Sequence, residues 1–405
     1  MSLKILHLNY NDKKGGAAIA VNRIHECLKK VGVISKVLVA KKTDDDDDFI
    51  GPSSTLSEIK YKIFEALNRK IFKLEKKIDY DSNSYNLLPN NIIKYINTLD
   101  FDLINLHWIG NNFLRINDLK KINKPIIWTL HDMWPYCGSE HYTVTNRFLE
   151  GYKKNNKIHQ GFDLEKYCWE NKVKNYPKKL NIVATSEWQF ENAKKSLLFK
   201  NTNVKKIGLP LDFDFWKPIN KSISRNILNI SESENVILIG SENINSKRKG
   251  YKNLVRLLES KKDINNLLIL TFGENKIETN IRNINFKNIK PNSYDLKLLY
   301  SCADVYLSPS LQEAFGQTSL EAISCLTPVV CFGSTGTTEI VKHKFTGYIS
   351  KKNDYEDFYL GVKWIIENLK NKVTPDSITY LKERFSYDYI SKSYINLYEN
   401  IMKEN

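Results

Sequence analysis

The chain has no apolar run approaching the roughly 18 residues that cross a bilayer, and no C-x-x-C pair among its six cysteines. The first absence excludes a membrane-spanning helix. The opening MSLKILHLNY moves into a strand pattern rather than the apolar core of a signal peptide, so the chain is expected to stay in the cytoplasm. Cys27, Cys137, Cys168, Cys302, Cys325 and Cys331 are scattered, several inside apolar segments, and read as buried thiols. Zinc is expected to be absent too: Cys137, His141, His159 and Cys168 match no standard ligand spacing. Acidic residues are in deficit, 46 against 61 Lys and Arg, and the net charge of +15 calls for an anionic partner. There is neither a C₂H₂ spacing nor a K/R-G-F-G-F-type strand, which argues against nucleic acid. Phosphorylated substrates and anionic lipid headgroups explain the charge better. The one acidic block, Asp44 to Asp48, lacks the glycine and closing glutamate of a calcium loop and reads as a solvated loop.

What is present is globular. Hydrophobic residues make up 41% and aromatic residues 12% of 405 positions, too long a chain for one ordinary core. Strand-like segments (KILHLNY, SKVLVA, DLINLHW, KPIIWTLHD, LNIVATSE, VKKIGLP) alternate with helical ones. The theme repeats through NVILIGS, NLLILTFGE, INFKNIK, DVYLSPS and PVVCFGS. Between them lie helices with apolar spacing near 3.6, such as Ala20, Ile24, Cys27, Leu28 and Val31, stopped by Gly32. This alternation predicts two doubly wound, parallel-sheet α/β domains, residues 1–210 and 211–384, divided near LDFDFWKP (211–218). In such sheets ligands sit at the carboxyl ends of strands.

One stretch at such an end carries the most information. In EAFGQTSLE, Glu313 and Glu321 bracket a strand-to-helix turn at Gly316. Backbone N–H groups of Phe315, Gly316 and Gln317 are placed to meet an anion at the positive end of the helix. Side chains on a helix lean toward its N-terminus, so Glu321 returns to the same place. Carboxylates accept paired hydrogen bonds from vicinal hydroxyls, and the set reads as a site for a phosphorylated sugar. Upstream, Lys247, Arg248, Lys249 and Gly250 follow another strand. They are either a surface charge run or the cations that a departing diphosphate needs.

In the first half Gly15 and Gly16 open a helix after the first strand, as a phosphate-approaching turn or merely a tight one. His131 and Asp132 follow the strand in PIIWTLHDMWPYCGSEHYT; a histidine there is either structural or part of a site. Trp134 and Tyr142 are either sugar-stacking or core aromatics. The segment KYKIFEALNRKIFKLEKKI (60–78) places Ile63, Leu67, Ile71, Leu74 and Ile78 at helical spacing beside many lysines. It reads as a basic amphipathic helix for an anionic membrane surface, or as an ordinary helix packed on its sheet.

The pattern P-S-x-x-E-x-F-G with its second glutamate resembles the donor-binding signature of retaining glycosyltransferases of family four. Further matches run in order along nearly the whole chain. T-L-H-D-M-W-P is similar to a segment of capsule, O-antigen and exopolysaccharide members, and GSTGTTEIVKHKFTGYI to their G-x-x-E-I-V…T-G-Y stretch, in which Gly336 and Glu339 look structural. Lys249 and Gly250 align with the family's R-x-K-G element. Asn243 and Ile244 stand where its arginine usually lies, which leaves Arg248's role open. I-P-N-G-x-D appears as Ile207-Gly208-Leu209-Pro210-Leu211-Asp212, without the asparagine.

The resemblance implies a GT-B architecture, two Rossmann-like domains facing a cleft, with the last helix (385–405) crossing back to the first. It implies a nucleoside diphosphate sugar as donor and a glycan acceptor, polyprenyl-diphosphate-linked, with no cofactor or metal. Glu313, Lys249, Arg248 and His131 would be catalytic. Glu321, Phe315, Gly316, Gln317, Gly15 and Gly16 would bind the donor, and Asp132, Trp134 and Tyr142 would lie on the acceptor side. The enzyme would be cytoplasmic, peripheral on the inner face of the membrane. Two alternatives remain at this level: a sugar-nucleotide epimerase on the same scaffold, and a noncatalytic glycan- or lipid-binding relative.

Overall fold

The computed structural model describes residues 3–52, 54–74, 82–153, 162–274 and 276–404. It divides into two compact units, Met1–Pro210 with Tyr387–Asn405, and Leu211–Ser386.

The first unit is built on β1 (Lys4–Asn11), β2 (Ile34–Lys41), β3 (Phe49–Ile50), β4 (Leu103–Leu106), β5 (Ile126–Leu130), β6 (Asn181–Ala184) and β7 (Asn203–Lys206). They form one parallel sheet in the order β3-β2-β1-β4-β5-β6-β7. Central strands such as β5, IIWTL, are buried throughout, as expected for a sheet covered on both faces. The edge strand β7 buries only Val204 and carries Lys205 and Lys206, charges that discourage edge pairing. The last helix, Tyr387–Lys403, covers this sheet. Its Tyr387 donates to Glu26 at 2.9 Å, Tyr398 accepts from Asn105 at 3.1 Å, and Tyr394 pairs with Thr129 at 3.2 Å.

The second unit holds β8 (Asn235–Gly240), β9 (Leu267–Phe272), β10 (Asn283–Phe286), β11 (Val305–Ser308), β12 (Val329–Phe332) and β13 (Gly347–Ser350), in the order β10-β9-β8-β11-β12-β13, again all parallel. Each sheet reverses direction of growth once, between β1 and β4 and between β8 and β11. At such a switch point the crossover helices diverge and leave a crevice at the carboxyl edge.

Three sequence expectations are corrected. β3, of two residues, and β13, of four, join the strands read from the sequence: two residues carry no periodicity, and GYIS lies inside a motif. Val31 is exposed rather than core, since the first helix, Gly16–Lys30, ends before it. The acidic block is not simply solvated: Asp48 pairs with Lys29 and with Lys36, the latter at 2.9 Å, and lies 3.4 Å from His25. Burial works against the ionised form of Asp48, but these partners win and hold its carboxyl far below the ordinary range.

Candidate active site

In the second unit three loops converge at the carboxyl edge of the neighbouring strands β8, β11 and β12. The loop after β8 passes a tight turn, Lys247–Lys249, and Gly250 at φ +71° before the helix Tyr251–Lys261. A Cβ on Gly250 would lie 2.2 Å from the Pro309 carbonyl oxygen, so glycine permits the close approach of this loop to the one after β11. Leu311 N–H then donates to Arg248 O at 2.8 Å, and the Arg248 guanidinium to Gln312 O at 2.6 Å. Lys249 Nζ reaches Glu313 Oε2 at 2.6 Å, Arg248 lies 3.8 Å from the same oxygen, and Ser310 donates to it at 3.3 Å. Behind β12, Gly336 N–H donates to Glu313 O at 2.7 Å, and a Cβ there would lie 2.3 Å from Ala314 O. Glu313 is therefore held through main chain and side chain at once. Burial raises its carboxyl pKa, and the Lys249 and Arg248 charges more than offset that, leaving it below the usual range.

Gly316, at φ +102°, caps the helix Gln317–Ser324, whose positive end opens on this edge. Ser319 in its first turn, Thr337 beside Gly316, and Ser241 just after β8 carry buried hydroxyls with no partner among the described residues. Of these, the Ser319 and Thr337 hydroxyls flank the helix start, and buried orphan hydroxyls there mark a place for a polar ligand. The Phe315 ring is buried against Phe385, at 5.3 Å between centroids, so what it can offer a ligand is backbone. Glu321 is only 4% exposed, and Tyr300 donates to it at 2.9 Å. Glu339 is tied to Arg384.

In the first unit Gly15, at φ +94°, caps the Gly16–Lys30 helix at the end of β1. His131 follows β5 directly and is partly exposed. Asp132 is buried, and its carboxylate accepts from Trp108 Nε1 (2.9 Å), His141 Nδ1 (2.6 Å) and Trp134 N–H (3.0 Å), so it organises its own loop. Trp134 is a core aromatic rather than a sugar platform: it is 2% exposed and donates to Ser84 O at 2.7 Å. Lys172, which sequence reasoning missed, lies 3.8 Å over the Trp134 ring and donates to the carbonyls of Trp134, Cys137 and Gly138. Burial draws its ammonium pKa down to about 8. Tyr142 remains partly exposed, stacked on Trp188, with its hydroxyl 3.4 Å from His131 O. Of the four residues weighed for zinc, His141 spends both ring nitrogens on Asp132 and on Ser84, at 2.8 Å, and His159 lies outside the described residues.

Residues 220–377 match the model of the family described as glycosyl transferases group 1. The chain is similar to an uncharacterised glycosyltransferase of Methanocaldococcus jannaschii, 23% identical over 75% of this chain and 76% of that protein. It is 22% identical to the N,N'-diacetylbacillosaminyl-diphospho-undecaprenol alpha-1,3-N-acetylgalactosaminyltransferase of Campylobacter jejuni, over 53% of this chain and 50% of that one. Shorter matches, over 26% of this chain, reach a capsular polysaccharide glycosyltransferase of Staphylococcus aureus (26% identical, 28% of its length) and an O-antigen chain mannosyltransferase of Escherichia coli (30%, 27%). Among solved structures, the sucrose-phosphate synthase of Thermosynechococcus elongatus superposes with a TM-score of 0.71 at 17% identity, over the whole of both chains.

Fold and family match together define a glycosyltransferase with the GT-B fold. The stretch that matches the group 1 model, residues 220–377, contains Arg248, Lys249, Glu313 and Glu321.

Proposed function

We propose that the enzyme transfers a sugar, with retention of configuration, from a nucleoside diphosphate donor to a hydroxyl of a polyprenyl-diphosphate-linked glycan in bacterial surface polysaccharide synthesis. The observation that carries this reading is the clamp on Glu313, its carboxylate held by Lys249 and its main-chain carbonyl by Gly336 N–H, beside the positive end of the Gln317–Ser324 helix. Glu313 takes the hydroxyls of the transferred sugar and Glu321 the ribose diol. Lys249, Arg248 and the amides of Phe315, Gly316 and Gln317 take the diphosphate. The bond between the anomeric carbon and the diphosphate oxygen breaks, the acceptor oxygen bonds to that carbon on the same face, and its proton passes to the departing diphosphate. The two cations stabilise the charge that grows on the leaving oxygen, the task a metal would otherwise perform. On this account no metal is required.

In the same reading Gly15 and Gly16 take part in donor binding, and His131, with Asp132 and Tyr142 around it, serves the sugar and acceptor. Asp132 acts here by fixing the loop. A lipid-linked acceptor is supported by the diphospho-undecaprenol substrate named for the Campylobacter relative, and by the helix Thr55–Leu74. No helix among the described residues is long and apolar enough to cross a membrane. On the Thr55–Leu74 helix, however, Leu56, Ile59, Ile63 and Leu67 are 78%, 46%, 52% and 40% exposed, among Lys62, Arg69, Lys70 and Lys73. Tyr61 and Asn68 face inward instead. Ile71 is half-buried, and Lys76, Lys77 and Ile78 lie outside the described residues. This face suits an anionic leaflet on the cytoplasmic side.

The test is a thermal-shift panel of nucleotide sugars, followed by transfer assays with the stabilising donor. A ligand at 100 times its Kd stabilises by about 2.7 kcal/mol. Stabilisation by one donor and acceptor-dependent release of its nucleotide are expected. Turnover of donor without acceptor would favour the epimerase reading, and no response to any donor a noncatalytic one.

A further inference from the structure

Three histidines form a file across the first sheet. His7 lies in β1, His107 just after β4 and His131 just after β5, on three adjacent strands. The register sets the geometry. His7 pairs with Asn105 and Leu106 with Trp128, so each histidine stands two rows beyond its neighbour, on the same face and nearer the carboxyl edge. His7 Nδ1 lies 2.9 Å from His107 Nε2, and His107 Nδ1 lies 2.9 Å from His131 Nε2. Burial pulls the His7 pKa down to about 3, with His25 adding to the effect. Burial also lowers His131 to about 4, against an opposing pull from Asp132, and lowers His107 well below its ordinary value, helped by its two neighbours. The file is therefore neutral near pH 7, with one proton per ring.

One proton per ring leaves two ways to make both hydrogen bonds. In one, each Nδ1–H donates toward the edge, His131 Nε2 accepts, and His131 Nδ1–H is left over at the outer end of the file. In the other, each Nε2–H donates inward, and His7 Nε2–H is left at the buried end. His7 Nε2 is fully buried and has no partner among the described residues. An orphaned buried N–H is the rarer and costlier defect, and the first arrangement places a bare lone pair there instead. At the other end, His131 Nδ1 has no partner among the described residues.

We propose that His7 and His107 are positioning residues which fix His131 as the Nδ1–H tautomer, making it a hydrogen-bond donor to a substrate oxygen and not a base. The assignment of that oxygen to the transferred sugar or the acceptor rests on the glycosyltransfer reading above. It agrees with the leaving diphosphate, rather than a side chain, taking the acceptor's proton.

The test is long-range ¹H–¹⁵N correlation on protein labelled at histidine, with peaks assigned by His131→Gln and His107→Gln. His131 is expected to show a protonated Nδ1 and a bare Nε2 near pH 7; a protonated Nε2 overturns the proposal. This readout needs no substrate, so it stands or falls separately from the transfer chemistry. His107→Phe removes the donor to His131 and is expected to move His131 to the Nε2–H form and lower kcat by about tenfold, with the donor KM little changed. His107→Asn keeps an N–H where Nδ1–H stood and is expected to restore both. Full activity in His107→Phe with the tautomer reversed overturns the donor role. If that variant does not fold, the wild-type spectrum still decides the tautomer.

Discussion

Replacing Lys249 by methionine removes the nearest cation from Glu313 and leaves the surrounding loops in place. Two unit charges 2.6 Å apart attract by about 6 kcal/mol at an effective dielectric near 20, before desolvation is subtracted. Breaking a fully buried pair from one side costs about 3–5 kcal/mol. Here the side chains keep 21% and 17% exposure and Arg248 remains at 3.8 Å, so the expected loss is about 2 kcal/mol, a Tm lower by roughly 4–8 °C. The kcat for transfer should fall by about 10²-fold, the scale of one lost charge-stabilising donor. Stability and chemistry then separate in the double variant Glu313→Gln/Lys249→Met. With both charges gone, stability should return to within about 1 kcal/mol of wild type, while transfer stays at least 10²-fold down. The pH dependence has a fixed sign. A carboxyl whose folded pKa lies below its unfolded value, about 4.3, contributes stability above that value and loses it as pH falls through the folded pKa. Removing Lys249 lets burial raise the folded pKa toward or past the unfolded value, so Glu313's share of the acid loss of stability should shrink or change sign, as read from urea melts between about pH 3 and 7. Recovery of activity along with stability in the double variant would refute the reasoning and make the pair purely structural.

Transfer should survive EDTA, because Lys249 and Arg248 supply the charge; a strict need for Mn²⁺ or Mg²⁺ would contradict that account. Glu321→Ala should weaken free nucleoside diphosphate by calorimetry, whereas Glu313→Ala should weaken chiefly the intact donor; equal loss for both ligands would merge the two roles. Gly336→Ala should destabilise by about 1–3 kcal/mol, since its Cβ would lie 2.3 Å from Ala314 O, and an unchanged melting curve would show that the loops yield. Sedimentation with anionic vesicles should exceed that with neutral ones at low salt. It should drop when Ile63 and Leu67 become Ser or when Arg69, Lys70 and Lys73 become Glu, and indifference to both changes would remove the membrane reading.

The sequence by itself determined what is local along the chain. Runs such as NVILIG and IIWTL are strands because they are apolar and β-branched over a strand's length, and their alternation with helices dictates parallel sheets. Gly250 and Gly316 mark turns that need positive φ, and both lie just ahead of helices, as their motifs suggested. Tertiary structure decided what depends on distant parts of the chain. Lys249 and Glu313 are 64 positions apart and meet because β8 and β11 are neighbours at the switch point. His7 and His107 are separated by 100 positions and meet because β1 lies beside β4, so no spacing in either segment announces the file. Trp134 and Ile63 are both large and apolar and sit in plausible motifs, yet one is sealed beneath Lys172 and the other faces outward. Burial depends on what packs above a residue, and the packing partner, supplied from elsewhere in the chain, is absent from the local pattern.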